Sequence, residues 1–292
     1  ASWRYFDILY DSISKTRQDN GMNLVDATAE VKSQLTAPGA PFEIVEKQVN
    51  EQALKVYANA PLNLSQVIND SRRTDETNFL VYQDQRWSFN AFFNDVDSMA
   101  TWMHQQGVVQ GDHVVIAMRN RPEWIIAFCA TVLIGAVPAP LNSFGTQQEL
   151  CEAISIIKPK LVVCDSARWS RINEKTCWAG QTVLLNDTHV DINPQSDVTL
   201  FNDAVACAAA PLPALEINEL DPALILFTSG ASSKAKAVLS SHLAVCQSLF
   251  NIDYISAISA LTSPDAVAKI IEKALVPTLL TAVPLFHVSG LH

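Results

Sequence analysis

Charge is scarce in this chain, and positive charge scarcer. Asp, Glu, Lys and Arg make up 17% of the 292 residues, and 20 Lys and Arg face 30 Asp and Glu, for a net charge of −10. An acidic surface repels nucleic-acid phosphates and anionic lipid, so neither is an expected partner. The six cysteines, Cys129, Cys151, Cys164, Cys177, Cys207 and Cys246, include no CxxC pair, and their spacing supports no zinc site. Several stand inside apolar runs, as in AFCATVL and LVVCD. Buried free thiols explain this better than a disulfide framework and point to a reducing, cytoplasmic setting. The opening ASWRYFDILYDS is mixed and charged, unlike a signal peptide. The chain has neither an internal repeat nor a low-complexity segment.

One long uncharged run, WIIAFCATVLIGAVPAPLNSFG from Trp124 to Gly145, has the length of a membrane helix. Gly135, Pro138 and Pro140 break its second half, so it reads as a buried helix followed by a buried strand, not as a transmembrane segment. Hydrophobic residues make up 49% of the chain, enough for a sizeable core.

Residues 1–60 read as an N-terminal extension. It has a short helix capped by Asp26 and ending near Leu35, then two short strands in PFEIVEKQV and ALKVYAN. From 61 onward, helical and extended patterns alternate. Ser88 is placed to cap a helix whose inner face is Phe92, Val96, Met99 and Met103. HVVIAM, GAVPAPL, LVVCD, TVLLND and ALILF read as short strands. Glu123–Leu133 reads as a helix. Thr146 and Glu149 form a capping box before another. Further helices are expected from Ser241 and over Ser263–Ala274, and TLLTAVPLF at 278–286 reads as a last strand. Short strands that are apolar on both sides need helices over both sheet faces. The fold class is therefore α/β, a three-layer sandwich of mainly parallel strands flanked by helices. Ligands in such folds bind at the carboxyl ends of the strands.

At one such end the apolar run ALILF gives way to TSGASSKAKAVLSSH. Small residues and hydroxyls at Thr228, Ser229, Gly230, Ser232 and Ser233 can turn N–H and O–H groups around phosphate oxygens. Lys234 and Lys236 add compact positive charge, and a helix start after the loop would favour an anion through its dipole. The loop is neither a Walker A motif nor a GxGxxG turn. A flexible Ser-rich surface loop is the competing reading.

The same stretch resembles the signature loop of the adenylate-forming superfamily, which includes acyl-CoA synthetases and other AMP-dependent synthetases and ligases. That pattern has TSG, two Ser or Thr, Gly, any residue, Pro, Lys and Gly, then a Ser/Thr-His pair. Thr228, Ser229, Gly230, Ser232, Lys236, Ser241 and His242 match it in place. LVYQDQRWSFNAF, GVVQGDHVVIAMRNRPEW, GAVPAPLN, LVVCD and PLFHVSG resemble further family segments in the right order, from about Asn78 to His292. Ala231, Ser233, Ala235 and Ala237 depart from the pattern. A Cβ at 233 or 237 restricts the loop only where φ must be positive.

The resemblance implies an AMP-forming ligase that joins a carboxylate to ATP as an acyl-adenylate and passes the acyl group to coenzyme A. Thr228, Ser229, Gly230, Ser232, Ser233 and Lys236 would hold phosphates, with Mg²⁺ bridging phosphate oxygens and its protein ligand outside this chain. His287 would lie beside the carboxylate. His242 reads as a packing residue at a helix start, and Trp87, Trp102 and Trp124 as packing residues. The apolar residues around PLFHVSG suit a fatty or other apolar acid. Residues 61–292 would then be an incomplete N-terminal AMP-binding domain with the C-terminal domain absent, inactive alone, and a homodimer is the candidate assembly of the whole protein. An adenylation enzyme that loads a carrier protein, and a non-catalytic nucleotide-binding relative, are the alternatives.

Overall fold

The computed structural model describes residues 24–174, 177–187, 197–228, 236–263, 269, 272–273 and 278–291. The chain divides into two compact units: Ala1–Pro61 with Cys246–Leu280, and Leu62–Val245 with Thr281–His292.

In the first unit, helix α1 (Leu24–Leu35) leads to a hairpin of β1 (Ile44–Val49) and β2 (Gln52–Tyr57). The helix begins two residues before Asp26, the cap expected for it. Val31, Leu35, Phe42, Ala257 and Leu261 form the core, with Tyr57, Phe250, Tyr254 and Ile258 packed on it. The rings of Phe42, Tyr57, Phe250 and Tyr254 meet at centroid distances of 5.1–6.3 Å. The Gln247 side-chain amide closes the edge of β2, accepting from Tyr57 N at 2.7 Å and donating to Tyr57 O at 3.0 Å. The long helix supplying Phe250 to Leu261, His242–Thr262, is long and apolar enough to cross a membrane by length and composition. Its packed side chains nevertheless belong to this core.

The second unit opens with α2 (Leu64–Asp70), capped by the Asn63 side chain, which accepts from Gln66 N. The hairpin β3 (Asn78–Tyr82) and β4 (Gln85–Ser88) follows. Ser88 accepts from Ala91 N and starts α3 (Phe89–Gln105), which buries Phe92, Val96, Met99 and Met103 as the spacing requires. Next come β5 (His113–Ala117), α4 (Pro122–Leu133) and β6 (Val137–Pro140). The long apolar run is thus a buried helix and a buried strand. Gly135, at φ 72° beside Gln110, turns the chain between them. The Thr146–Glu149 capping box forms and starts α5 (Gln147–Ile157). Strand β7 (Leu161–Cys164), helix α6 (Ser166–Glu174), strands β8 (Thr182–Leu184) and β9 (Val198–Leu200), and the short α7 (Phe201–Val205) complete the series.

Strands β5 to β9 form one parallel sheet in the order β6-β5-β7-β8-β9. The chain steps one way from β5 to β6 and the other way from β6 to β7 and β8. Right-handed crossovers therefore put α4 on one face and α5 and α6 on the other. Helices α3 and α7 pack together on the α4 side, and α5 packs with α6. The middle layer is fully buried at Val115, Ala117, Val162, Cys164 and Leu184, which is why these strands read as apolar on both sides.

Strand β10 (Pro222–Thr228) lies against β6 and pairs antiparallel with β11 (Lys236–Ser241), after which α8 (His242–Thr262) begins. A strand therefore separates the Ser-rich loop from the helix expected from about Ser241, which begins at His242, so the loop does not run directly into a helix start. Val238 and Leu239 take the β-partners Leu226 and Ile225, and α8 starts only once that ladder ends. The strand expected over 278–286 is also corrected. It is turn and irregular chain, since Pro284 has no N–H to offer a ladder. Most of the helix expected over Ser263–Ala274 lies outside the described residues.

The six cysteines are not all free. Cys151 on α5 and Cys177, after α6, form a disulfide. The packing of α5 and α6 brings their Cα atoms within 5.5 Å, a proximity that the sequence spacing does not show. Cys129, Cys164, Cys207 and Cys246 are free. Burial pushes the Cys129 thiol up to about 12 and that of Cys246 to about 11, so both are protonated and inert at neutral pH.

Two buried polar groups hold the second unit. Asp165, after β7, pairs with Arg168 in the first turn of α6 at 2.9 Å, and the two side chains are 4% and 6% exposed. His242 is buried at the start of α8, and its Nδ1 accepts from Leu64 N at 3.1 Å. Breaking a buried ion pair by removing one partner costs about 3–5 kcal/mol, because the other charge stays buried. Arg168→Met is therefore expected to lower unfolding free energy by about that amount, read in a urea melt. For His242, burial depresses the pKa, opposed by Asp221. The folded protein thus holds the neutral ring, and the unfolded chain binds the proton more readily. Its stabilisation is complete above the ordinary histidine value of about 6.5 and is lost as pH falls through it. We expect urea midpoints to fall between pH 7.5 and 5.5. The fall should be smaller in His242→Asn, whose Oδ1 can still accept from Leu64.

Candidate functional site

The site is built on the carboxyl edge of the parallel sheet. Two loops leave that edge after β5 and β6, and the Asp165–Arg168 pair ties them down. Asp165 Oδ2 accepts from Arg119 N at 3.2 Å, fixing the loop after β5. Arg168 Nε donates to Ser143 O at 2.7 Å, and its Nη2 reaches the same oxygen, fixing the loop after β6. Arg171 Nη1 donates to Gly145 O at 2.6 Å, and Gln147 Nε2 donates back to Arg171 O at 2.9 Å. The loop over 142–147 is thus hung on α6. It carries Phe144 outward, 56% exposed, with the Arg119 guanidinium 3.9 Å over its ring.

The PLFHVSG segment docks on these two loops. Asn120 Nδ2 donates to Val283 O at 2.8 Å, and Asn120 Oδ1 accepts from Leu285 N at 2.9 Å. Phe286 meets Phe144 edge-on at 6.1 Å, while Leu285 is buried. The segment then turns tightly. His287 N donates to Pro284 O at 3.1 Å and Gly290 N donates to His287 O at 2.9 Å, opening α9 (Val288–Leu291). A side chain at Gly290 would collide with the Pro284 carbonyl, so this turn requires the glycine. His287 itself is exposed. Its Nδ1 lies 2.7 Å from Ser289 Oγ and accepts from Ser289 N at 3.4 Å. A backbone N–H can only donate, so this bond places the proton of the neutral ring on Nε2.

The Ser-rich loop is the tip of the β10–β11 hairpin. Chain enters β10 at the amino edge of the sheet. There Gln110 Nε2, before β5, donates to Glu216 O at 2.9 Å, and Leu215 touches Gly135, before β6. Strand β10 lies beside β6, and its far end is Thr228. Thr228 and Lys236 are register partners across the hairpin and both are exposed. Ser229, Gly230, Ser232 and Ser233 lie in the 229–235 tip, outside the described residues, together with Ala231, Lys234 and Ala235. Ala237 sits in β11 opposite Phe227 and is not among the residues of positive φ. Its Cβ therefore costs the loop nothing.

The structure thus separates the expected residues into two groups. Thr228 and Lys236 flank the hairpin tip, and His287 stands on a segment held by the loops after β5 and β6. His242 is a packing residue on α2, as its position at a helix start suggested. Trp102 and Trp124 are buried, and half-buried Trp87 donates to Asp95 at 3.1 Å. Sequence reasoning missed Asn120, Phe144, Asp165 and Arg168. All four follow the carboxyl ends of short apolar strands, which is the position the rule for α/β folds singles out.

Comparison with known proteins gives this geometry its context. The family model described as AMP-binding enzyme matches residues 68–292. The 4-coumarate–CoA ligase CCL1 of Humulus lupulus is 27% identical over 155 residues, covering 51% of this chain and 28% of that protein. The medium/long-chain-fatty-acid–CoA ligase FadD6 of Mycobacterium tuberculosis is 27% identical over 185 residues, covering 63% and 30%. The vanchrobactin synthetase VabF of Vibrio anguillarum is 21% identical over 248 residues, covering 81% of this chain and 8% of that protein. The match to each of these relatives spans less than a third of its length. Among solved structures, ATP-bound MatB from Rhodopseudomonas palustris superposes with a TM-score of 0.56 at 23% identity, covering 79% of this chain and 42% of that one. A benzoate CoA ligase from Burkholderia xenovorans LB400 gives 0.51 at 17%, covering 62% and 34%. At these identities the likeness speaks for the fold, a parallel sheet flanked by helices. The family match covers most of the sequence and includes both the hairpin tip and the His287 segment: this chain belongs to the AMP-binding enzyme family.

Proposed function

We propose that this chain carries the phosphate side and the acid side of an AMP-forming acid–thiol ligase acting on an apolar carboxylic acid. One observation carries the reading. Thr228 and Lys236, which bracket the hydroxyl- and lysine-bearing loop, pair at the end of β10, the strand that lies beside β6, and the His287 segment is held on the loops that leave β5 and β6. In this reading Thr228, Ser229, Gly230, Ser232, Ser233 and Lys236 face the phosphates of ATP. Hydroxyls and one ammonium fit an anionic oxygen cage and do not fit a divalent cation. In this reading Mg²⁺ would enter with the phosphates of ATP. His287 presents Nε2–H where a carboxylate oxygen could accept it. Phe144 and Phe286 offer the aromatic surface that an apolar or aryl acid needs, and coenzyme A is the proposed thiol.

A second reading, an adenylation enzyme that loads a carrier protein, draws on the similarity to VabF, which covers 81% of this chain. Carboxylate-dependent exchange of pyrophosphate into ATP by the full-length protein tests the shared first step. Absence of exchange with every acid tried would sink both readings, and free coenzyme A against a carrier thiol as acceptor separates them. Losing one charged hydrogen-bond partner of a phosphate removes about 1.5–3 kcal/mol. Lys236→Ala is therefore expected to weaken ATP binding by roughly 10- to 100-fold in a calorimetric titration. An unchanged affinity would move the phosphates away from Lys236.

A further inference from the structure

We infer that Asn120 is a positioning residue: it holds the Val283–His287 segment in the geometry that presents His287 to the acid. The inference rests on the proposed ligase reading for its consequence, but not for its geometry. Among the described residues the Asn120 side chain is bound to this segment, by two opposed hydrogen bonds 163 and 165 residues away in sequence. The backbone amide of Leu285 can only donate and the carbonyl of Val283 can only accept, so the two bonds fix which way the side-chain amide faces. A planar amide of this length is the one side chain that satisfies both. A carboxylate would keep the acceptor and repel the Val283 carbonyl, and Ala would leave both backbone groups without a protein partner.

The anchor matters because the segment has little else to fix it. It forms no strand, Pro284 removes one N–H, and His287 is exposed beyond the turn. The described contacts that tie the segment to the sheet edge are the Asn120 bonds, the buried Leu285 side chain and the Phe144–Phe286 pair. Asn120 in turn follows Arg119, whose backbone N–H is held by Asp165. The sheet, the buried ion pair, Asn120 and the His287 turn form one mechanical chain.

Two measurements test this. Hydrogen exchange at the Leu285 amide reads the anchor directly, without activity. Asn120→Ala should speed it by at least about tenfold while amides of β5 and β7 keep their protection. Asn120→Asp, which retains the acceptor, should speed it less. A double-mutant cycle then reads the consequence. In the full-length protein, Asn120→Ala should raise the KM for the carboxylic acid in pyrophosphate exchange by about tenfold or more, leave the ATP dissociation constant unchanged, and add little in a His287→Ala background. Unchanged exchange at Leu285 would overturn the anchor. Full additivity with His287→Ala would overturn positioning even if the anchor stands. Should His287→Ala alone leave pyrophosphate exchange intact, the role of His287 in the ligase reading falls and with it the positioning claim, while the Leu285 amide still decides the anchor.

Discussion

The carboxyl edge of this protein depends on one buried ion pair. Asp165 and Arg168 stand three residues apart at the entry to α6, yet between them they hold the backbone of both loops that leave β5 and β6. Such a pair adds little net stability over a well-packed apolar substitute, because two charges must be stripped of water. What it adds is direction. The guanidinium fork converges on the Ser143 carbonyl, and the carboxylate accepts the Arg119 N–H and three bonds from Arg168, one from its backbone N–H and two from Nη1. Every satisfied lone pair here is also a constraint on where a loop can go. Phe144 and Asn120, which meet the His287 segment, point outward because their neighbours in sequence point inward to this pair.

The hairpin proposed for the phosphate side would work by different physics. A helix N-terminus would have offered aligned N–H groups and a dipole, but β11 follows the loop, and the small dipoles of strands do not supply one. Anion binding at such a tip falls to individual N–H groups, hydroxyls and Lys236. In bulk water a unit charge pair 4 Å apart gains only about 1 kcal/mol, and several times more once solvent is excluded. An exposed Lys236 thus gains its strength from whatever covers the tip when ligand is present.

Much of the scaffold was legible from residue types. The central strands are short apolar runs because helices cover both their faces. The break at Gly135, Pro138 and Pro140 separated α4 from β6, and the Thr146–Glu149 box marked α5 because capping is a local interaction. What stayed hidden was either too short to show a period or not local at all. The helices α2 and α7 and the three-residue β9 have too few residues for a pattern to emerge. Strand β11 was concealed because its residues need a partner strand, and its polar Ser240 and Ser241 do not alternate cleanly with apolar ones. The Cys151–Cys177 pair, the Asn120 clamp and the Arg168 fork join side chains that only the finished fold brings together. Of the expected site residues, the structure locates Thr228, Lys236 and His287, and the similarity to a known family was needed to single out His287 among six histidines.

Charge explains why the anchor of the His287 segment is a neutral amide. The chain carries a net charge of −10, and the proposed substrates, ATP and a carboxylate, are anions. An acidic surface disfavours their approach unless the edge they meet is locally neutral or positive. At this edge the acidic groups are already committed. Asp165 is buried against Arg168, and Asp187 is paired with Arg121 at 3.2 Å. Among the described residues, Arg119 over Phe144 and Lys236 at the hairpin are exposed cations. A carboxylate at 120 would add a negative charge within hydrogen-bond reach of the segment that carries His287. It would oppose the incoming acid at the point where the remaining cations attract it. An asparagine makes both backbone bonds and leaves the potential of that edge to Arg119 and Lys236.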